Sequence, residues 1–349
     1  MPPTHANAPG SEDRPEDRPA DRVESETDLV QTYLAPLAAG SAGAFGLRDD
    51  AALISPEPGT DLVVSSDPII AGVHFFIDDA PEDVAWKALA VNASDMAAKG
   101  ARPLAYILTL ALPDAPTRAW MTRFSDGLRS AQESFGCRLI GGDTDRTPGP
   151  LSIGITIFGA VPAGKFVPRL GAAAGDHVFV TGTIGDAALG LAVRRDASAF
   201  EGVLSDDERA FVLGRYLRPK PRLALAETLR NHASAALDIS DGLMKDLARL
   251  AGPSGISLGL GSVPMSPAVG AALAHDAAVA KTVLTGGDDY ELLVAVPPAA
   301  IADFKIGAER AGIAISRLGV LEAGRKFEIR DQHGTLIDGQ QLGYDHFSR

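Results

Sequence analysis

From Asp61 to Leu318, short β-prone runs alternate with helical stretches, and the strand ends repeatedly carry acids beside Gly or Ser. This alternation restricts the chain to a mixed α/β (α+β) architecture. Residues 61–67, 104–112, 138–140 and 151–161 read as strands. The segment from Pro81 to Gly100 reads as a helix, with Pro and the acids Glu82 and Asp83 in its first turn. A second helix is expected to start at Pro113–Pro116 and to carry Trp120, Phe124, Leu128 and Phe135 on or near one face. GGDTDRTPGP reads as a turn between the third and fourth strands. Past a Gly-, Ala- and Pro-rich linker at 162–175, strands are expected at 178–181, 235–239, 291–296 and 313–318. Helices are expected at 208–217, 222–232 and 243–251. Two α/β domains joined near residue 165 fit this order.

The chain has 349 residues, enough for two domains. Forty-five acids against 32 bases give a net charge of −13, which makes it a poor general binder of nucleic acid or of an anionic membrane. One cysteine excludes a disulfide framework and any multi-cysteine metal site. No secretory pattern opens the sequence and no apolar run reaches membrane-spanning length, so the cytoplasm is the expected location. Residues 1–26 hold the charged, Pro-rich SEDRPEDRPADR and read as a disordered tail. Residues 27–162 and 163–349 then form the two domains.

Phosphate-loop, dinucleotide-turn, nucleophile-elbow and HExxH signatures are all absent. What recurs is Asp49-Asp50, Ser65-Ser66-Asp67, Ser94-Asp95, Gly141-Gly142-Asp143-Thr144, Asp238-Ile239-Ser240-Asp241-Gly242 and Gly286-Gly287-Asp288-Asp289. Strand ends are where α/β folds bind ligands. Hard cations such as Mg²⁺ take a few carboxylates together with water and substrate phosphates. Taken singly, each cluster is equally explained as turn chemistry, in which Asp, Ser and Gly are simply the residues that turns use.

Asp95 follows Val84, Ala88 and Val91 at helical spacing and so lies on an apolar stripe, where a carboxylate needs a partner. That partner is a metal ion; alternatively, the carboxylate at the helix end reaches water or pairs with Lys99 or Arg102. The small residues Ala85, Ala93, Ala97 and Ala98 would let another backbone approach closely. Asp238, Ser240 and Asp241 can gather at one turn, unless Ser240 or Asp241 merely caps the helix from Gly242. Gly141 and Gly142 would let backbone N–H groups near a phosphate, or form a plain turn. His74, beside Phe75 and Phe76, reads on its own as a partly buried histidine, and Cys137 as core.

The segments SSDPIIAGVHF, WKALAVNASDMAAKGARP, LIGGDTDR, GDHVFVTGTIGDAALGL, ALDISDGLMKDL, LTGGDDYELL and GYDHF occur in that order from about Thr27 onward. In this order they resemble the thiamine-monophosphate kinase family of the aminoimidazole-ribonucleotide-synthetase-like superfamily. The resemblance implies an N-terminal sheet domain that dimerises, a C-terminal α/β domain, and ATP-dependent phosphorylation of thiamine monophosphate, the last step in making thiamine diphosphate. It implies that Asp50, Ser65, Ser66, Asp67, Asp95, Asp143, Asp238 and Asp241 organise Mg²⁺. Of these, Asp95, Asp143 and Asp241 would be catalytic. Gly142, Asp143, Arg169 and Ser240 would contact ATP; His74, Asp288 and Tyr344 would contact the substrate. Two positions depart from the family pattern: Arg48 precedes Asp49-Asp50 where Gly is usual, and Asp288 replaces a Glu one methylene longer.

The resemblance further implies a homodimer and direct phosphoryl transfer with no phospho-enzyme. Related selenophosphate synthetases use a reactive cysteine or selenocysteine near the N-terminus, and hydrogenase-maturation proteins end in a reactive cysteine; neither is matched here, where Cys137 is the single cysteine. Two alternatives are another ATP-dependent enzyme of the superfamily and a non-catalytic nucleotide- and Mg²⁺-binding regulator.

Overall fold

The computed structural model describes residues 21–325, 327–330, 335, 336 and 343. A short helix α1 (Glu26–Leu29), capped by the Ser25 hydroxyl, opens the N-terminal unit. Residues 22 and 23, within the segment expected as a tail, pack on this unit. Val23 is buried, its N–H donates to the Pro116 carbonyl, and Arg22 bridges to Thr117. An apolar Val among the charges supplies the anchor that composition averaging hid.

Strand β1 (Thr60–Ile70) is followed by α2 (Pro81–Ala98), β2 (Arg102–Leu112), α3 (Arg118–Phe135), β3 (Arg138–Arg146) and β4 (Ser152–Pro162). The sheet order is β1-β4-β2-β3, with β2 and β3 parallel and the other pairs antiparallel. Helices α2 and α3 cover one face. Gly127 in α3 allows their close approach, since a Cβ there would sit 2.5 Å from the Glu82 carbonyl. Phe124 and Leu128 fill the core on the expected face of α3.

Two local expectations need correcting. The α3 helix starts at Arg118 with Thr117 as its N-cap, not at Pro113, because the Thr117 side chain accepts from Trp120 N and fixes the first turn beyond both prolines. The GGDTDR segment is strand, not turn: it continues β3 beside β2. Gly142 makes this possible. Its φ is +153°, and a Cβ would collide with the Leu108 carbonyl at 1.8 Å.

The C-terminal unit runs β5 (His177–Thr181), α4 (Asp186–Arg195), α5 (Asp206–Leu217), α6 (Ala226–His232), β6 (Ala235–Asp238), α7 (Leu243–Ala251), β7 (Ser254–Gly255), β8 (Ser257–Gly259), α8 (Pro267–His275), α9 (Val279–Thr285), β9 (Leu292–Val296), α10 (Ile301–Arg310), β10 (Ile315–Val320), β11 (Glu322–Ala323) and β12 (Glu328–Arg330). Its main sheet, β10-β5-β9-β6, is antiparallel throughout. Alternate residues of these strands feed two apolar layers. Val178, Leu237 and Leu293 face one, while Phe179, Ala236 and Val294 face the other.

Ala97 and Ala98 of α2 lie in that second layer, beside Val167, Phe179 and Leu292. The small side chains let the end of α2 seat against the C-terminal sheet, as the sequence suggested. This explains why α2 is buried nearly all round, with polar Lys87, Asn92 and Ser94 included. No helix among the described residues is long and apolar enough to cross a membrane.

Candidate active site

Where α2 meets β6, a cavity of about 380 Å³ is lined by Asp67 and Asp95 of the N-terminal unit, Arg169 of the connector, and Asp238 and Ser240 of the C-terminal unit. Lys99, Phe166, Leu237, Asp246 and Arg249 complete its wall. The connector is held there by two backbone bonds, Val167 N to Lys99 O (3.3 Å) and Ala236 N to Pro168 O (3.0 Å). These set Arg169 at the mouth.

Asp95 stands between the other two acids. The Ser65 hydroxyl donates to Asp95 Oδ2, and Ser94 Oγ donates to Asp238 Oδ2 at 2.6 Å. Asp67 N–H bonds the Asn92 side chain at 2.9 Å, tying β1 to α2. Burial, reinforced by the Asp95 charge, pushes the Asp67 carboxyl up to about 6. The same two causes, partly offset by the Ser94 hydroxyl, push Asp238 up to about 8. Burial lowers the Lys99 ammonium from its ordinary range, opposed by the charges of Asp238 and Asp95. Its Nζ donates to the Ala236 carbonyl at 2.8 Å. Closely spaced carboxylates that resist ionisation are the signature of a site completed by a cation.

The donor set fits Mg²⁺: carboxylate and hydroxyl oxygens, with no thiol or imidazole. Among the described residues no three acid, His or Cys side chains already form a cage. An ion here would therefore take further ligands from water and phosphate, the usual habit of Mg²⁺.

The Asp238–Asp241 turn has the expected strand–turn–helix form, but neither Ser240 nor Asp241 caps α7. The N-cap is Gly242, without a side-chain bond. Asp246, one turn into α7, reaches back instead and accepts from Ser240 N (3.1 Å) and Asp241 N (2.9 Å). Asp241 is held by Lys245 (3.0 Å) and Arg249 (2.7 Å).

Other expected site residues separate. Asp67, Ile155, Leu108 and Gly142 form one line across the sheet. Gly142 and Asp143 are thus three strand spacings from Asp67, about 14 Å. Asp143 pairs with Thr109, and Ser66 bonds Thr156 at 2.8 Å. Both positions belong to the helix-free face, while Ser65 and Asp67 face α2. Asp50 is exposed on the same side as β3, in a loop whose Ala52 packs 4.0 Å from the Cβ position of Gly141. The single chain therefore assembles Ser65, Asp67, Asp95, Arg169, Asp238 and Ser240, but not Asp50, Ser66, Gly142 or Asp143.

His74 and Asp288 approach each other through Lys87, whose Nζ bonds the His74 carbonyl (3.0 Å) and Asp288 Oδ2 (2.8 Å). His74 Nδ1 accepts from Ile70 N at 3.0 Å, closing a tight turn. Tyr344 lies outside the described residues. Sequence reasoning missed Lys87, Asp246 and Arg249. The available signal for Lys87 was its place seven residues before Ser94, on the same helix face.

Residues 48–161 match the family model of the AIR synthase related protein, N-terminal domain, and residues 173–332 match that of the C-terminal domain. The chain is 38% identical over 327 residues to the thiamine-monophosphate kinase of Caulobacter vibrioides, covering 92% of this chain and 91% of that one. It is 39% identical over 309 residues to that of Escherichia coli K12, covering 87% and 92%. Among solved structures, the thiamine-monophosphate kinase of Stenotrophomonas maltophilia superposes with a TM-score of 0.76 at 34% identity, covering 88% of this chain and 97% of that one. AaThiL complexed with AMPPCP and TMP gives 0.71 at 28% identity, covering 92% and 97%. The E. coli hydrogenase maturation protein HypE shares the fold at 19% identity, with a TM-score of 0.71 and coverage of 91% and 98%.

Proposed function

The chain belongs to the thiamine-monophosphate kinase family, and from this membership we infer that it transfers the γ-phosphoryl group of ATP to thiamine monophosphate, giving thiamine diphosphate and ADP. The reaction serves thiamine biosynthesis. The observation that carries the assignment is the meeting of Asp95 and Asp238, from different units, at one cavity that Arg169 and Lys99 also line.

The acceptor is a phosphate monoester, largely dianionic at neutral pH, so its oxygen attacks without a protein base. A bond forms between that oxygen and the γ-phosphorus as the bond from the γ-phosphorus to the β-phosphate oxygen breaks. The electron pair leaves on ADP. Two polyanions must first be brought in line, so orientation and charge dominate the barrier. Arg169 and Lys99 bring cations to the phosphates at the cavity mouth. Asp67, Asp95 and Asp238 are the residues that would hold Mg²⁺, with Ser65 and Ser94 orienting two of them. When bound, Mg²⁺ supplies neutralisation of the β- and γ-phosphate charge. His74 and Asp288 would form the thiamine subsite.

A homodimer completes this reading. The helix-free face of the N-terminal sheet exposes Leu62 and Val64 (38% and 56%) and carries Ser66 and Asp143, with Gly142 the residue before Asp143 on the same strand. Pairing that face with a second copy would cover its apolar surface and bring Asp50, Gly142 and Asp143 toward a partner's phosphates. Chromatography of a reaction containing ATP, thiamine monophosphate and MgCl₂ tests the activity: thiamine diphosphate and ADP are expected in equal amounts. ADP without thiamine diphosphate contradicts it.

A further inference from the structure

We propose that Lys87 is a positioning residue of the thiamine subsite, which orients the Asp288 carboxylate toward the cationic thiamine moiety. The inference rests on the preceding assignment of the substrate and adds a residue to it.

Lys87 lies on α2 and is only 2% exposed. Its ammonium has three partners: Asp288 Oδ2 at 2.8 Å, the His74 carbonyl at 3.0 Å and the face of the Tyr216 ring at 3.9 Å from its centroid. These satisfy a cation whose burial would otherwise be costly. A buried ion pair is weak as a stabilising device, because well-packed apolar residues serve as well or better. Its presence beside the substrate subsite points to orientation instead.

Asp288 is held from two sides. Its backbone is left-handed, with φ +70°, and Tyr290 follows at +48°, both unusual for residues with side chains. The C-terminal unit fixes this backbone. Asp288 N bonds the Ser240 carbonyl (3.1 Å), Tyr290 N bonds the Ile239 carbonyl (2.9 Å), and the buried Asp289 carboxylate accepts from Gly185 N at 3.0 and 3.1 Å. Lys87, from the N-terminal unit, then fixes the side chain by taking Oδ2. Oδ1 remains 3.4 Å from the Tyr290 hydroxyl, on a side chain still 26% exposed. A short carboxylate with one oxygen anchored presents the other in a fixed direction. Thiamine carries a quaternary thiazolium, a permanent cation that such an oxygen attracts. The Lys87 charge does not oppose it, because Asp288, the His74 carbonyl and the Tyr216 ring surround the ammonium.

The test compares the wild-type enzyme, Asp288→Asn, Lys87→Met and the double variant, first establishing that the wild type phosphorylates thiamine monophosphate. Failure there removes the functional assignment itself and is distinct from failure of this inference. Lys87→Met and Asp288→Asn are each expected to raise KM for thiamine monophosphate about tenfold, with KM for ATP nearly unchanged. Because Lys87 acts through Asp288, the double variant should be no worse than Asp288→Asn. This comparison stands even if Lys87→Met alone fails to fold, since the double variant leaves no buried charge facing an absent partner. An unchanged KM in Asp288→Asn, or a further rise in the double variant, would overturn the proposal.

Discussion

Ser94 and Asp238 join the two units of the molecule at the candidate site: the Ser94 hydroxyl donates to the Asp238 carboxylate at 2.6 Å, one residue before Asp95 on the same helix. The contact holds a buried acid beside a second one. Ala97 and Ala98 reinforce it by seating the same helix end in the C-terminal core. The acids are thus forced together by packing, and their electrostatic tension belongs to the folded chain alone.

That tension has a sign. The folded chain keeps the Asp238 carboxyl protonated up to about pH 8 and Asp67 up to about 6, against an ordinary value of 3.8. Through this window the folded state binds more protons than the unfolded state, so the stability contributed by each group falls as pH rises. Asp238→Asn removes one such group. In calorimetry without metal, its Tm is expected to gain on that of the wild type between pH 4 and pH 8. A variant Tm that falls relative to the wild type as pH rises contradicts the account.

A second buried charge network sits behind the Asp288 turn. Glu291 is 0% exposed and accepts from Arg215 (2.8 Å), Arg222 Nε (2.7 Å) and the Thr181 hydroxyl (2.6 Å). Glu291→Ala leaves two guanidinium groups facing a void. Urea unfolding is expected to show a loss of about 3–5 kcal/mol, the usual cost of breaking a buried pair. A loss below 1 kcal/mol would show that water replaces the carboxylate freely.

The exposed face of the N-terminal sheet yields a third expectation. Val64→Asp places a charge in the centre of the proposed dimer contact. Light scattering should give a dimer for the wild type and a monomer for the variant, with phosphorylation lost because Asp143 no longer meets its partner's site. An active monomer would refute the shared site.

The sequence made the alternation of elements legible because apolar periodicity and helix-end chemistry are local. Leu243–Ala251 appears as a helix with the expected bounds, and α2 begins at Pro81 as expected. The acids were visible as residues near strand ends, but their grouping was not. Asp67 and Ser66 are adjacent in sequence yet serve opposite faces of β1, because the pleat alternates. Asp143 looked like a turn residue because two glycines precede it. Only the close approach of Gly142 to the Leu108 carbonyl shows why those glycines sit in a strand. Lys87 was hidden for a related reason: a lysine in an alanine-rich helix reads as a solvated side chain until a second unit packs over it.

The most direct test is the initial rate of thiamine diphosphate formation by the wild type and by Asp95→Asn, at saturating ATP, thiamine monophosphate and MgCl₂. Asp95 is flanked by both acids whose ionisation it opposes, so its neutral variant should stay folded. The expected result is steady turnover by the wild type and a loss on the order of 100-fold or more in Asp95→Asn, as for removal of a principal electrostatic group. An Asp95→Asn enzyme working near the wild-type rate would contradict the account.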